Sequence, residues 1–334
     1  MLALLTITVL AILVGQMTTA TSVSSLRLRG RMIERRCRRA LDSVPGMAVR
    51  MLTERTEDLR VDTLGDDWAK PMFFDVGDIR IEIRIEDCQR QYDLTGLLEE
   101  DPETLDAEKM QFVNFAEECG VSLDVATHLA DTIALEAETR RLEDMTTTTT
   151  PAAETDAAEG TAPPPVTTES AVPIWLEDFL ALPQLSDDDR RDILTARVTR
   201  EDLETFETSD VRFLDQITIW RTGNPNVNTA TREVLLHELL NLGDPERVVD
   251  EILDKRAEEP FTSTAQISNL ETLTRDEGRQ VARYVQLRSN RFRVTATATP
   301  LDGKTPAGMR KATMVLILQR QGTTFTTLWR TVNV

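Results

Sequence analysis

The sequence is poor in the residues on which most catalytic chemistry depends. Of its 334 residues two are histidine, His128 and His237, three are cysteine, Cys37, Cys88 and Cys119, and 5% are aromatic, with two tyrosines. Two histidines exclude a His-rich metal centre and leave only these candidates for a His-dependent dyad. No CxxC spacing occurs, which argues against a zinc ribbon or a thioredoxin-type site. Three packed thiols account for the cysteines, although an oxidising compartment would leave at least one of the three free or paired between chains. P-loop, GxGxxG, HExxH and GxSxG motifs are absent as well, and adjacent acids such as Asp66-Asp67 are too common to mark a glycosidase. Together these absences argue against an enzyme.

Charge is also missing where it would matter for nucleic acid. The net charge is -19, but it is unevenly distributed. Residues 1–60 hold ten Arg against five acids, and residues 288–334 hold eight basic groups against one. The 61–287 stretch carries twenty basic and fifty-one acidic groups, a surface that repels phosphate.

No charged side chain occurs over residues 1–26, whose apolar heart is LALLTITVLAILVG (2–15). Extended to Val23, the segment reaches the length that spans a bilayer. It reads as a single anchor over 1–24 or as a secretory signal cut near Ala20. Arg27, Arg29, Arg31, Arg35, Arg36, Arg38 and Arg39 follow. Alone they would place the C-terminal side in the cytoplasm by the positive-inside rule, whereas the Thr/Pro/Ala-rich stretch over 145–172 looks extracytoplasmic and without a fold. Ile33, Cys37, Leu41, Val44, Ala48 and Leu52 recur at helical spacing, predicting a stem helix over 25–60 that Pro45-Gly46 kinks or breaks.

Beyond the stem the period changes twice. IRIEIRI (79–85) alternates as a half-buried strand does, with Phe73-Phe74 a shorter strand before it. From Pro102 to Leu142, and again from Leu176, the pattern is helical. Gly120 fits a helix stop, and Ser186-x-x-Asp189, Ser263-x-x-Gln266 and Thr274-x-x-Glu277 fit capping boxes. Asn228 or Thr229 is expected to cap a helix through Leu240, and Gly243-Asp244-Pro245 to turn it into a second one. Segments 292–299, 312–319 and 324–334 read as an antiparallel meander that shares one sheet with the Ile79 strand.

Several of these segments resemble, in order, the minor pseudopilin K family of type II secretion (general secretion pathway protein K). VDTLGDDWAKP (61–71) and IEIRIEDCQRQYDLTGL (81–97) are similar to its W-A-x-P, strand and I-x-D-x-x-G-x-x-N-L-N-x-L. Trp68, Ile85, Asp87, Asp93, Leu94 and Leu97 stand in that pattern, with Asp93-Leu94-Thr95 in place of N-L-N. NPNVNTATREVL (224–235) resembles I-N-V-N-T-A-x-x-x-V-L through Asn226, Asn228 and Thr229. Phe261 stands in the R-x-x-x-P-F segment, and Phe292 in the S-x-x-F-x-V strand.

The resemblance implies an α+β fold: a transmembrane and stem helix packed on a small antiparallel sheet, 61–92 with 288–334, and a large acidic helical insert over 93–287. It implies a single-pass inner-membrane protein with a cytoplasmic N-terminus and a periplasmic globular part, non-catalytic and cofactor-free. Its partners would be the I-kind and J-kind minor pseudopilins, inner-membrane lipid, prepilin peptidase if a leader lies upstream, and no nucleic acid. Met1 occupies the position of the leader's last Gly, so an upstream extension carrying the leader is expected. Thr6 falls where most pseudopilins hold Glu; lacking it suits a tip position. Ile33, Leu41, Val44 and Ala48 are expected to face partner stems. Some family members bind calcium through D-W-x-D…G-A-E…Y; DTIALEAETRRLED (131–144) does not match it, and no site is expected. The rival reading is a membrane-anchored helix–hairpin–helix DNA-binding or uptake protein. Its hairpin amides would need a Gly-x-Gly turn, which Gly243-Asp244-Pro245 lacks.

Overall fold

In the computed structural model the described residues are 16–17, 24–25, 27–54, 61–147, 180, 182–201, 208–221, 223–301 and 311–333. Most of the expected anchor, Thr6, the linker from 148 onward and the helical start at Leu176 lie outside them. Among the described residues no helix is long and apolar enough to cross a membrane.

After the helical residues 16–17 and 24–25, helix α1 covers 27–41, and α2, Val44–Thr53, follows. Strands β1, Met72–Val76, and β2, Ile79–Asp87, form a hairpin about Gly77, whose φ of 64° is the left-handed conformation that glycine adopts without strain. Next come β3, Tyr92–Asp93, α3, Pro102–Glu118, and α4, Leu123–Thr147. Helix α5, Asp187–Thr195, and strands β4, Arg197–Glu201, β5, Thr208–Arg212, and β6, Ile217–Thr218, come next. Four helices follow them: α6, Arg232–Glu238, α7, Pro245–Glu258, α8, Thr264–Ser268, and α9, Arg275–Tyr284. The chain closes with β7, Arg291–Pro300, β8, Ala312–Gln321, and β9, Thr324–Asn333.

Two compact units result, Met1–Asp87 with Ser289–Val334, and Cys88–Arg288. The first is a five-stranded antiparallel sheet in the order β1-β2-β7-β8-β9. Asp87 pairs with Phe292, so Cys88–Arg288 stands where a β2–β7 hairpin would need only a short loop. Alternation does what its period dictates. Ile79, Ile81, Ile83 and Ile85 of β2, Phe292, Val294, Ala296 and Ala298 of β7, and Met314, Leu316 and Leu318 of β8 are buried in one core. Cys37, Leu41, Val44, Ala48 and Leu52 of the two helices complete it, together with Trp68. Burying each large aliphatic side chain there contributes roughly 1.5–3 kcal/mol. The register shift between Ile317 and Leu318 leaves Leu328 as the extra residue of a β-bulge in edge strand β9.

The stem breaks between α1 and α2, at Asp42-Ser43 rather than at Pro45-Gly46. Pro45 has no N–H and sits in the first turn of α2, where none is needed.

The second unit is helical, but it also holds two small sheets that hydrophobic patterning did not signal. In one, β3 and β6 run parallel; in the other, β4 and β5 run antiparallel. Tyr92, placed with the sheet by the sequence reading, stacks on Phe115 at 4.4 Å inside the helical core. All three expected capping boxes form. Gly120 ends α3 with φ 84°, and a Cβ there would lie 2.9 Å from the Arg197 carbonyl oxygen. Helix α6 is shorter than expected, and its cap is Thr231, whose side chain accepts from the Val234 N–H. Neither Asn228 nor Thr229 caps it. Asp244 does cap α7, accepting from the Arg247 N–H at 3.3 Å.

Candidate functional site

The residues of the sequence motifs are mostly interior, and each contributes to the core of its own unit rather than to a surface. Trp68 meets Phe292 edge-on with ring centroids 5.4 Å apart, and its indole N–H donates to Asp66 Oδ2 at 3.0 Å. Asp87 is buried and accepts from the Ser289 hydroxyl. Beside it lies an ion pair that sequence motifs did not reveal. Arg320 Nη1 and Nη2 donate to Asp62 Oδ2 at 2.6 Å and Oδ1 at 3.0 Å, while the Ser289 N–H donates to the same Oδ2 at 2.7 Å. Asp62 and Arg320 have side-chain exposures of 0% and 5%, so both charges are desolvated and each neutralises the other. The guanidinium also lies 5.0 Å and 5.1 Å from the Phe292 and Phe325 ring centres. One signal was present in the sequence: Arg320 continues the inward-facing series Ala312, Met314, Leu316 and Leu318.

In the helical unit Asn228 acts as a two-pronged brace. Its Nδ2 donates to the Phe261 carbonyl at 2.9 Å, and its Oδ1 accepts the Phe261 N–H at 2.8 Å. Asn226 Oδ1 accepts the Asn228 N–H at 3.0 Å, and the Thr229 hydroxyl donates to the Asn226 carbonyl at 3.5 Å. With its amide so committed, Asn228 is not available to cap α6. Leu94 is buried in the same unit, in the short turn that Asp93 caps by accepting the Thr95 N–H.

The stem residues require a correction. Leu41, Val44 and Ala48 are each 0% exposed, and Ile33 packs against the same core. Leu41, Val44 and Ala48 are therefore not available to partner helices, since β2, β7 and β8 supply the apolar cover they need, and Ile33 is half-buried.

Among the described residues the histidines and thiols are in packed or paired settings. Burial, and then the charge of Arg221, brings His237 down to about 4, so it is neutral at pH 7 and packs edge-on against Tyr92. His128 pairs with Asp189 at 3.1 Å on the margin of the helical unit. None of the three cysteines is in a disulfide, and all three are buried. Burial, and then Asp78, raises the pKa of Cys37, opposite to what a reactive thiolate needs. Among the described residues no group of three or more His, Cys, Asp or Glu could hold a metal ion.

A strongly charged surface feature among the described residues is on α1. Over 27–41 seven arginines face one acid, Glu34, and all seven are exposed. By helical spacing Arg27, Arg31, Arg35, Arg38 and Arg39 fall on the side away from the buried Cys37, Ala40 and Leu41, whereas Arg29 and Arg36 stand at its margin, one turn from Ile33 and Ala40. Arg36 pairs with Asp78 at 2.7 Å and Arg38 with Glu34 at 3.4 Å.

No protein-family model matches the chain, and no curated protein matches it. Among solved structures it is similar to a chain in the crystal structure of the GspK-GspI-GspJ complex from the enterotoxigenic Escherichia coli type 2 secretion system. The TM-score is 0.54 at 14% sequence identity, over 92% of this chain and 99% of that one. Neither unit alone amounts to 92% of the chain, so the shared fold includes both the sheet and the inserted helical unit.

Proposed function

We propose that this chain is a minor pseudopilin of the K kind, which assembles with I-kind and J-kind subunits at the tip of a type II secretion pseudopilus. The observation that carries the reading is the shared fold, since an inserted helical unit between two strands of a pseudopilin-like sheet is an uncommon combination to meet twice. In this reading the uncharged 1–24 segment anchors the chain in the inner membrane, both units are periplasmic, and Thr6 stands where most pseudopilins carry Glu. The protein acts by assembly rather than catalysis, which accords with its scarcity of histidine and its buried thiols. Nothing favours the DNA-binding alternative: at its hairpin turn Asp244 adds a carboxylate and Pro245 lacks an N–H. Co-expression with the I-kind and J-kind subunits of the same secretion system tests the proposal. The full chain is expected to co-purify with both in fixed proportion. A stable I–J pair that forms without recruiting this chain would overturn it.

A further inference from the structure

The arginines of α1 differ among themselves in a way that assembly alone does not account for. Arg27, Arg29, Arg31 and Arg35 come first after the uncharged segment 1–26. At about 1.5 Å of rise per residue they fall within roughly 12 Å of one another along the helix. That distance is close to one Debye length, about 10 Å at 0.1 M salt. Among the described residues none of these four takes part in an ion pair, nor does Arg39. Arg36 and Arg38, further along the helix, are the two that do. The guanidinium groups left without a protein counter-charge are therefore mainly those nearest the end of the apolar segment. The side of α1 opposite Arg27, Arg31 and Arg35 is committed to the chain's own core through Cys37, Ala40 and Leu41, so the helix cannot turn these three inward, and Arg29 stands at the margin of that core side.

We infer that this arginine face binds the anionic headgroups of the membrane in which the 1–24 segment is anchored. The inference rests on the anchored reading above and adds to it the class of lipid and the residues that meet it. Guanidinium matches phosphate by paired N–H donors. A basic helix placed directly after an apolar segment has the geometry of a membrane-surface element. The apolar segment supplies the proximity that a chain of net charge -19 could not otherwise maintain beside an anionic surface.

The full chain, reconstituted in nanodiscs of phosphatidylcholine alone or with phosphatidylglycerol, is treated with phenylglyoxal, and each arginine's modification rate is read by mass spectrometry. Arg84, exposed on the sheet, is the internal reference. With phosphatidylglycerol the rates at Arg27, Arg29, Arg31 and Arg35 are expected to fall about fivefold relative to Arg84, corresponding to about 1 kcal/mol per basic residue at the surface, and to recover at high salt. Equal rates in both discs would overturn the inference while leaving the anchor intact. Protection in neutral discs that grows with protein concentration would overturn it in favour of the acidic insert of a second copy. A chain that does not stay with neutral discs would overturn the anchored reading itself, and this inference with it.

Discussion

In the sheet unit polar groups reach the interior as an ion pair with a further carboxylate, Asp87, beside it; in the helical unit they reach it mainly as uncharged amides. Asp62 and Arg320 close a chain separation of 258 residues at the end of a regular sheet whose alternating residues exclude water. The helical unit is built from short pieces joined by irregular backbone. Its centre is bridged by Asn226 and Asn228, and its closest ion pair, Arg221–Glu238, keeps Glu238 partly exposed. Regular strands satisfy their own backbone, and the buried pair at the sheet's end bonds the Ser289 N–H and carbonyl. Irregular loops leave backbone groups over, and amides that both donate and accept are what can satisfy them.

The largest effect should come from breaking the pair on one side only. Arg320→Met leaves Asp62 buried without its counter-charge, and the expected loss of stability is about 3–5 kcal/mol. Adding Asp62→Leu to that variant should recover only part, because the Ser289 N–H then loses its acceptor. Chemical denaturation, with amide exchange of β7 and β8 as the local readout, measures both. A single variant within 1 kcal/mol of the parent would mean that water reaches Asp62, and the contrast between the units would fail.

A smaller effect is expected from the amide brace. Asn228→Ala orphans both the N–H and the carbonyl of Phe261, for an expected loss of about 2 kcal/mol. Exchange at amides around Phe261 should rise. Asn228→Asp keeps the acceptor but puts a carboxylate opposite the Phe261 carbonyl, so it should not rescue. If Asn228→Asp is as stable as the parent, the Nδ2 contact contributes nothing.

How much of this was legible follows the same division. Period-two patterning gives β2, β7, β8 and β9 nearly to the residue, because strands half-buried against helices must alternate. Local chemistry gives the three capping boxes, the Gly120 stop and the Asp244-Pro245 start of α7. Contacts made across long separations leave no local mark. The Asn228–Phe261 brace displaced an expected cap from Asn228 to Thr231. The two-residue strands β3 and β6 are too short to carry a period. A stripe such as Leu41, Val44 and Ala48 looks the same in sequence whether a partner or the chain's own sheet covers it.

The smallest expected effect concerns acid on the helical unit. Glu108 has its pKa raised by burial first, then by Glu99, Asp93 and Glu238, against the lowering effect of Arg221. Asp93 is raised by burial, which outweighs its bonds with Thr95, and Glu118 by burial and then Glu233. A carboxyl group whose pKa is higher folded than unfolded binds more protons in the folded state between those two values. Its contribution to stability is therefore greatest below the ordinary carboxylate value and is lost as pH rises through the folded value. Glu251 runs the other way. Burial pushes it up, but hydrogen bonds from Lys255, Thr272 and the Glu271 N–H prevail and bring it down to about 2, so its contribution is lost on acidification. The Glu251 side chain is 13% exposed, so solvent screens its share only in part. Across the window just above the ordinary carboxylate value, the helical unit should thus lose some stability with rising pH. Glu108→Gln should flatten that slope without lowering stability at neutral pH. Denaturation curves collected across that window, with exchange at α3 amides as the local readout, test it. An unchanged slope in Glu108→Gln would place the proton uptake on Asp93 and Glu118 instead, and a slope of opposite sign would make Glu251 the dominant group.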